Sequence, residues 1–333
     1  MIEKNKNLEL KQVDISTAQN FWNNSLEGSF FTDPNFLYKL KVNVDYWIVK
    51  KGNEELCLWP VNIGPNKIIA PPPFSYYFGP YWSNHISKIT QHSKFILSIR
   101  VFDLFLNKFE KKYNNIHINL HPNNHDIRYF TWKKNFKDKN KLNIFPKYSA
   151  FISELNKKKY SEIFLSFSKL RRRMINKVKK HKNLIRTNFF KLDEIVELYR
   201  DTILRKNKYI EKKSLKKSLK KISDFYSIYT EDNKIISLNG FREKKTKKLV
   251  SLVMMGHGKN VSNLILNLSD ISYQKTGITA LTMFDSIKLS KKMKMINFDF
   301  NGSNSFIGSD DKHSYGSDYR LYFEIKSESK KGV

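Results

Sequence analysis

One cysteine, Cys57, in 333 residues excludes an internal disulfide and any thiolate-held metal cluster, and it suits a reducing compartment. Acid is scarce as well: 31 Asp and Glu stand against 61 Lys and Arg, a formal net charge of +30. No run approaches the roughly 18 uninterrupted apolar residues of a membrane span, and the opening "MIEKNKNLELKQVD" has no apolar leader core, so a cytoplasmic protein is expected. Familiar catalytic signatures are missing. There is no G-x-S-x-G nucleophile elbow and no G-x-G-x-x-G dinucleotide loop. "MMGHGKN" (254–260) lacks the spacing of a phosphate loop and reads as a strand-ending turn. "HPNNH" sets His121 and His125 four apart, but Pro122 and two asparagines make it a loop rather than a zinc-binding helix face, so no metal site is expected.

What is present is core material. Hydrophobic residues make up 40% of the chain, with 25 Phe and 17 Tyr, which supports folded cores despite the charge. The length suits two domains of about 150 residues. A charge of +30 attracts polyanions: nucleic acid, nucleotide-linked substrates or an anionic membrane surface. Most of the basic residues are Lys, however, and Asn and Ile are abundant, a composition that an AT-rich genome yields without selection for binding.

The halves differ. All five tryptophans precede residue 133, and the densest basic runs, "KLRRRMINKVKKHK" and "LRKNKYIEKKSLKKSLKK", follow residue 168. The Pro-containing stretch "FPKYSAFISEL" sets a boundary near 148–152, giving domains of 1–150 and 151–317. In the first, "DYWIVKKGNEELCLWPVNI" reads as two strands about a Gly-Asn turn. Phe95, Ile99, Phe102, Leu106 and Phe109 form a helical stripe, and Ile116, Ile118 and Leu120 alternate as a strand. In the second, Leu170, Met174 and Val178 form one helical stripe and Leu192, Ile195, Tyr199 and Ile203 another. "FYSIYTEDNKIISLNGF" is expected to give strands about Asp232-Asn233, "KKLVSLVMMG" a buried strand, "TALTMFDSIKLSKKM" a helix and "MINFDF" a final strand. This order is α+β, and the second half echoes the first.

The stretch "NFDFNGSNSFIGSDDKHSYGSDYRLYFEI" (297–325) carries the chemistry. Ile296, Phe298 and Phe300 share one strand face, so Asn297 and Asp299 share the other. Gly302 lets the backbone turn or approach a ligand, and Asn301, Ser303 and Asn304 supply hydrogen-bonding groups. An ordinary solvated turn, with Asp299 capping it, is the competing reading.

"FDFNGSN", then Lys312-His313-Ser314-Tyr315-Gly316, resembles the closing motif of FemAB-type aminoacyltransferases and their GNAT-type acetyltransferase relatives, D-x-x-G-S followed by F-K-x-x-[FY]-G. "FFTDPNFLYKL", "APPPFSYYFGP" and "FSKLRRRMINKVKKHKNLIRT" followed by "LDEIVELYRDTILRKNKYI" resemble the family's earlier motifs in the same order, across roughly 28–325. Asp311 stands where the motif has Phe, and Lys182-Asn183 where a glycine usually follows the basic helix.

The resemblance implies an α+β fold of two tandem GNAT-like domains, mixed central sheets flanked by helices, with the last strand (about 318–328) returning to the first domain. It implies an N-acyltransferase that moves an acyl or aminoacyl group to an amine of a cell-envelope precursor, either a nucleotide- or lipid-linked sugar or a peptidoglycan peptide. Acyl-CoA or aminoacyl-tRNA would be the donor substrate, with tRNA as a partner in the second case and no permanently bound cofactor. Among catalytic candidates, Lys312 matches the motif lysine and suits an oxyanion or a phosphate. Asp299 would orient the acceptor or take its proton, and His313 is of a type that titrates near neutrality. Arg172 and Arg173 offer bidentate phosphate contacts, or form a solvated helix face. Asn301, Gly302, Ser303, Tyr315, Tyr76, Tyr77 and Lys39 complete the expected substrate-binding set, with packing inside the first domain as the other reading of Tyr76 and Tyr77. The peptidoglycan enzymes often carry a long helical hairpin in the second domain; "EKKSLKKSLKKI" shows no heptad insertion, which favours the acetyltransferase-like branch. A non-catalytic nucleic-acid-binding protein is the alternative, but it has no recognisable reader motif and leaves the 299–317 loop unexplained.

Overall fold

A computed structural model describes residues 7–72, 74–124, 126–137, 140–206 and 212–329. His125 lies outside them. The chain divides into two compact units, residues 1–148 with 320–333 and residues 149–319.

Unit 1 begins with β1 (Leu8–Val13), α1 (Ile15–Asn23) and α2 (Pro34–Lys39), followed by the hairpin of β2 (Val44–Lys51) and β3 (Glu54–Gly64). The Gly-Asn turn is where the sequence puts it, and Gly52 takes φ +58° there. Short strands β4 (Ile68–Ile69) and β5 (Tyr81–Trp82) precede α3 (Gln91–Lys112), β6 (Asn115–Asn119), α4 (Arg128–Lys133), β7 (Asn135–Phe136) and β8 (Asn140–Ile152). The sheet order is β1-β2-β3-β4-β6, and the late strand Asp318–Ser329 pairs antiparallel with β6, Ile325 opposite Ile118. Phe102, Phe105 and Phe109 of α3 set their rings edge-on to Trp59 of β3, at 6.5, 5.2 and 5.0 Å. Phe102, Leu106 and Phe109 of the predicted stripe are buried, Phe105 joins them while Phe95 and Ile99 are half-buried, and burying this face is the main force holding α3 on the sheet.

Unit 2 holds α5 (Tyr160–Ser166), α6 (Lys169–Lys179), β9 (Leu184–Thr187), α7 (Leu192–Lys206), α8 (Lys212–Glu231), β10 (Ile236–Glu243), β11 (Leu249–His257), β12 (Val261–Ser269), α9 (Ile278–Lys292), β13 (Asn297–Asp299) and α10 (Phe306–His313), and β14 is the late strand Asp318–Ser329. The order is β13-β12-β11-β10-β9, with the end of β8 antiparallel to β13. Each unit includes a parallel pair among the described residues, β4 with β6 and β12 with β13, so both sheets are mixed. α9 is buried nearly all round, as expected of a helix covered on several sides.

Two expectations are corrected. "FYSIYTE" is the end of helix α8, not a strand. Its aromatic content suits a strand, but Ile222, Phe225 and Ile228 recur at helical spacing and are buried together. The lysine-rich "KKSLKKSLKKI" is the first half of this same 20-residue helix. In α6 the buried stripe is Ile175 and Val178, whereas Leu170 is 67% exposed.

Three buried titratable groups predict the pH profile. Burial pushes the His257 imidazole, set between the hydroxyls of Ser237 (2.7 Å) and Ser262 (2.9 Å), down to about 4. Burial, aided by the charge of Arg320, pushes His121 down to about 3. Burial raises Glu27 to about 7, against the Trp82 N–H that donates to it. The histidines' contribution is present above 6.5 and lost as pH falls towards their folded values, whereas that of Glu27 is present below 4.5 and lost as pH rises through 7. Between 4.5 and 6.5, unfolding takes up two protons and releases one at these three groups, so together they raise stability with pH by about 1.4 kcal/mol per unit, and His117, lowered by burial, adds in the same sense. Above that window the remaining histidine gain and the Glu27 loss nearly cancel, so the profile levels off. Calorimetric melting from pH 4.5 to 8 should show stability rising and then levelling off near neutrality, and Glu27→Gln should steepen the rise. A flat profile over this range contradicts the assignment.

Candidate functional site

β12 and β13 run parallel only over Val261–Asn263 and Asn297–Asp299. Beyond this point β13 stops, while β12 continues for six more residues to Ser269. Opposite β11 the register slips between Met254 and Met255, which face Leu266 and Leu264, so Ile265 is an extra, bulged residue. The parting of the strands and the bulge therefore coincide in sequence.

The end of β13 is fixed by a buried polar network. Asp299 is fully buried. Its Oδ1 accepts from Ser149 Oγ (2.6 Å) and from the Asn301 backbone N–H (2.7 Å), and its Oδ2 accepts from Asn263 Nδ2 (3.2 Å). Asn301, also fully buried, donates from Nδ2 to the Leu264 carbonyl (2.6 Å) and accepts at Oδ1 from Asn263 (3.0 Å). The Asn301 side chain thus takes up a β12 carbonyl just where β13 ceases to pair. Asn301 (φ +53°) and Gly302 (φ +26°) turn the chain, and the Lys312 ammonium donates to the carbonyls of both. Such charge-assisted bonds to backbone carbonyls are among the stronger neutralisations of orphan acceptors. Ser303 is buried beside them in sequence.

A second set of contacts ties α6 to α10. The Ser168 N–H donates to the Ser314 carbonyl (2.8 Å), and Arg171 donates to Ser314 Oγ (3.0 Å) and pairs with Asp311 (2.6 Å). The Arg171 guanidinium also lies 4.5 Å from the centroid of the Tyr315 ring. Asp311, the departure from the family motif, is therefore the partner of the basic helix. His313 Nδ1 lies 3.1 Å from the Ser317 carbonyl and 3.2 Å from the Ser317 hydroxyl, so Ser317 can partner either tautomer.

Several expected roles are corrected by these positions. Asp299 is sealed in the interior with both oxygens engaged, so it positions the turn rather than taking a substrate proton. Asn301 is likewise structural. Tyr315 is fully buried, stacked on Phe300 (5.5 Å) and edge-on to Phe167 (5.3 Å), and burial raises its hydroxyl; it packs the core rather than touching substrate. Arg172 donates to the Leu165 carbonyl (2.6 Å) at the end of α5, and Arg173 is exposed. Of this basic cluster, Arg171 is the residue built into the site. In unit 1, Tyr77 is buried edge-on to His121 (5.2 Å) and Tyr322 (5.2 Å), Tyr76 is half-buried against Phe31 (5.9 Å), and Lys39 ends α2. Ser149 and Asn263 were not singled out by the sequence. Polar residues inside the apolar runs "SAFI" and "VSNLILNLS" were the available signal.

Two further groups flank the parted strands in sequence: the side-chain oxygens of Asn267 on β12 and Thr279 at the start of α9 are buried without a hydrogen-bond partner among the described residues. Gly277, φ +92°, leads into α9, and a Cβ there would meet the Met174 carbonyl oxygen at 2.8 Å, so α6 and α9 require glycine at this contact.

This architecture is that of the tandem GNAT fold, an α+β class of two mixed sheets flanked by helices. The solved structure of FemX superposes with a TM-score of 0.66 at 10% identity, covering 95% of this chain and 96% of that one. L-PGS from Bacillus licheniformis gives 0.55 at 10% identity over 97% and 94%, and the tandem GNAT protein of the clavulanic acid biosynthesis pathway gives 0.53 at 6% identity over 98% and 99%. No protein-family model matches the sequence, and no curated protein matches it. The FemAB-like, GNAT-type architecture implied by the sequence motifs is thus the fold of this chain.

Proposed function

We propose that the chain is an N-acyltransferase that moves an acyl or aminoacyl group from an activated donor, acyl-CoA or aminoacyl-tRNA, to an amine of a cell-envelope precursor. The observation that carries this reading is the parting of β12 from β13 after Asn263 and Asp299. It leaves one side of the last six residues of β12 without β13, a strand edge that an extended, amide-bearing donor can extend by main-chain pairing. The unpartnered oxygens of Asn267 and Thr279 are acceptors suited to the same arm.

Transfer forms a bond between the acceptor nitrogen and the donor carbonyl carbon and breaks the bond to the leaving thiol or tRNA hydroxyl. The amine proton passes to the leaving group, so the step needs a base for the amine and a stabiliser for the oxyanion. In this reading His313 donates from Nδ1 to the Ser317 carbonyl and takes the proton through Nε2. Lys312 holds the Asn301–Gly302 turn and brings a positive charge to that end of β13. The tandem GNAT fold of FemX and L-PGS supports an envelope precursor as acceptor class.

Purified protein incubated with acyl-CoA and aminoacyl-tRNA pools plus envelope precursors should yield a precursor heavier by one acyl or aminoacyl group on mass spectrometry. His313→Gln should slow formation by about 100-fold or more. A tRNA donor would show rates falling steeply with salt, a CoA donor much less so. Consumption of neither donor by folded protein overturns the reading.

A further inference from the structure

A cavity of about 430 Å³ lies in unit 1 among β1, the end of the β2–β3 hairpin and the first turns of α3, within the volume range of small-molecule sites. It is formed by none of the residues assigned above to transfer. Its wall is two-sided in character: Leu56, Ile96 and Leu97 supply apolar surface, and Lys51, His92 and Arg100 supply cationic or protonatable groups. Among the described residues the one acid on the wall, Glu54, lies against His85 at 2.8 Å and makes no ion pair with Arg100.

Arg100 is the informative residue. Its Nε is buried without a partner, and among the described residues its guanidinium makes no hydrogen bond or ion pair. A guanidinium left without an acceptor is costly, and an anion entering the cavity that Arg100 lines would supply one. The planar guanidinium fork suits the two oxygens of a phosphate or carboxylate, whereas the apolar wall suits hydrocarbon.

We propose that this cavity binds an anionic amphiphile, with a phosphate or carboxylate head on Arg100 and its apolar chain against Leu56, Ile96 and Leu97. The test is calorimetric titration of the full chain with octyl phosphate and with octanoate below their micelle concentrations, beside inorganic phosphate and octanol. One of the two amphiphiles should saturate at one per chain, with inorganic phosphate and octanol at least about 10-fold weaker, since each lacks one half of the contact. The preferred head, phosphate or carboxylate, is read from the ratio of the two amphiphiles. Arg100→Gln should weaken binding about 10-fold or more, and Ser93→Trp, at an exposed wall position, should abolish it by filling the space. If Arg100→Gln does not fold, Ser93→Trp decides alone. The proposal is overturned if neither amphiphile saturates, if inorganic phosphate or octanol binds as tightly, or if the folded variants bind like the parent.

Discussion

Asp299→Ala is expected to destabilise unit 2 by about 3–5 kcal/mol, because it strips acceptors from three buried donors at once. The Ser149 hydroxyl and the Asn301 N–H lose the Oδ1 they share, and Asn263 Nδ2 keeps only Asn301. Each buried donor left unpaired costs about 1–3 kcal/mol, and full burial denies water as a substitute. Asp299→Asn keeps one oxygen for Ser149 and Asn301 but turns an amide towards the Asn263 amide, so its cost should be smaller. Urea unfolding followed on the unit 2 transition checks both. Loss of transfer activity should track loss of the turn rather than loss of a titrating group, so residual Asp299→Asn activity should show an unchanged pH profile. Asp299→Ala within 1 kcal/mol of the parent would contradict the network's role.

Gly316→Ala is the second large effect. Gly316 has φ +68°, and a Cβ there would sit 2.5 Å from both the carbonyl oxygen and the Oγ of Ser166. The left-handed backbone alone costs an L-residue about 1–2 kcal/mol. The clash is with backbone, which must move, and it lies where α5 ends against the segment that carries Lys312 and Tyr315. A total near 3 kcal/mol or more is expected by analogy with overpacked cores. Gly52→Ala separates the two terms, because Gly52 has φ +58° with nothing within 4 Å of the added Cβ. It should cost only about 1 kcal/mol. Equal costs for the two variants, measured by denaturant melts, would show that the contact with Ser166 carries nothing.

The elements were legible where one period dominates. The α3 stripe, the Gly-Asn hairpin, β11 and the strand before Gly302 follow from apolar spacing and turn chemistry that act locally. α8 was misread at its end because aromatic and β-branched side chains suit strands, while the helical period runs through lysine-rich sequence that looks solvated. The site was legible only in part, for a different reason. Alternation assigns Asp299 to a face but not to a depth, and its partner Ser149 lies 150 residues away. Burial and partners decide whether a carboxylate works on substrate or on the fold. Arg171 illustrates the same limit: its neighbours Arg172 and Arg173 carry the same charge, and only the position of α10 selects Arg171 to meet Asp311 and Tyr315.

Hydrogen exchange of the full chain, read by mass spectrometry with saturating non-transferable acyl-CoA and, separately, a non-transferable aminoacyl-tRNA, tests the open β12 edge most directly. Peptides covering 264–270 and 300–304 should slow with one of the two donors, as an extended arm pairs with the strand where β13 has left it. Saturable binding of a donor with no slowing of β12, or failure of both donors to bind, would contradict transfer at this edge.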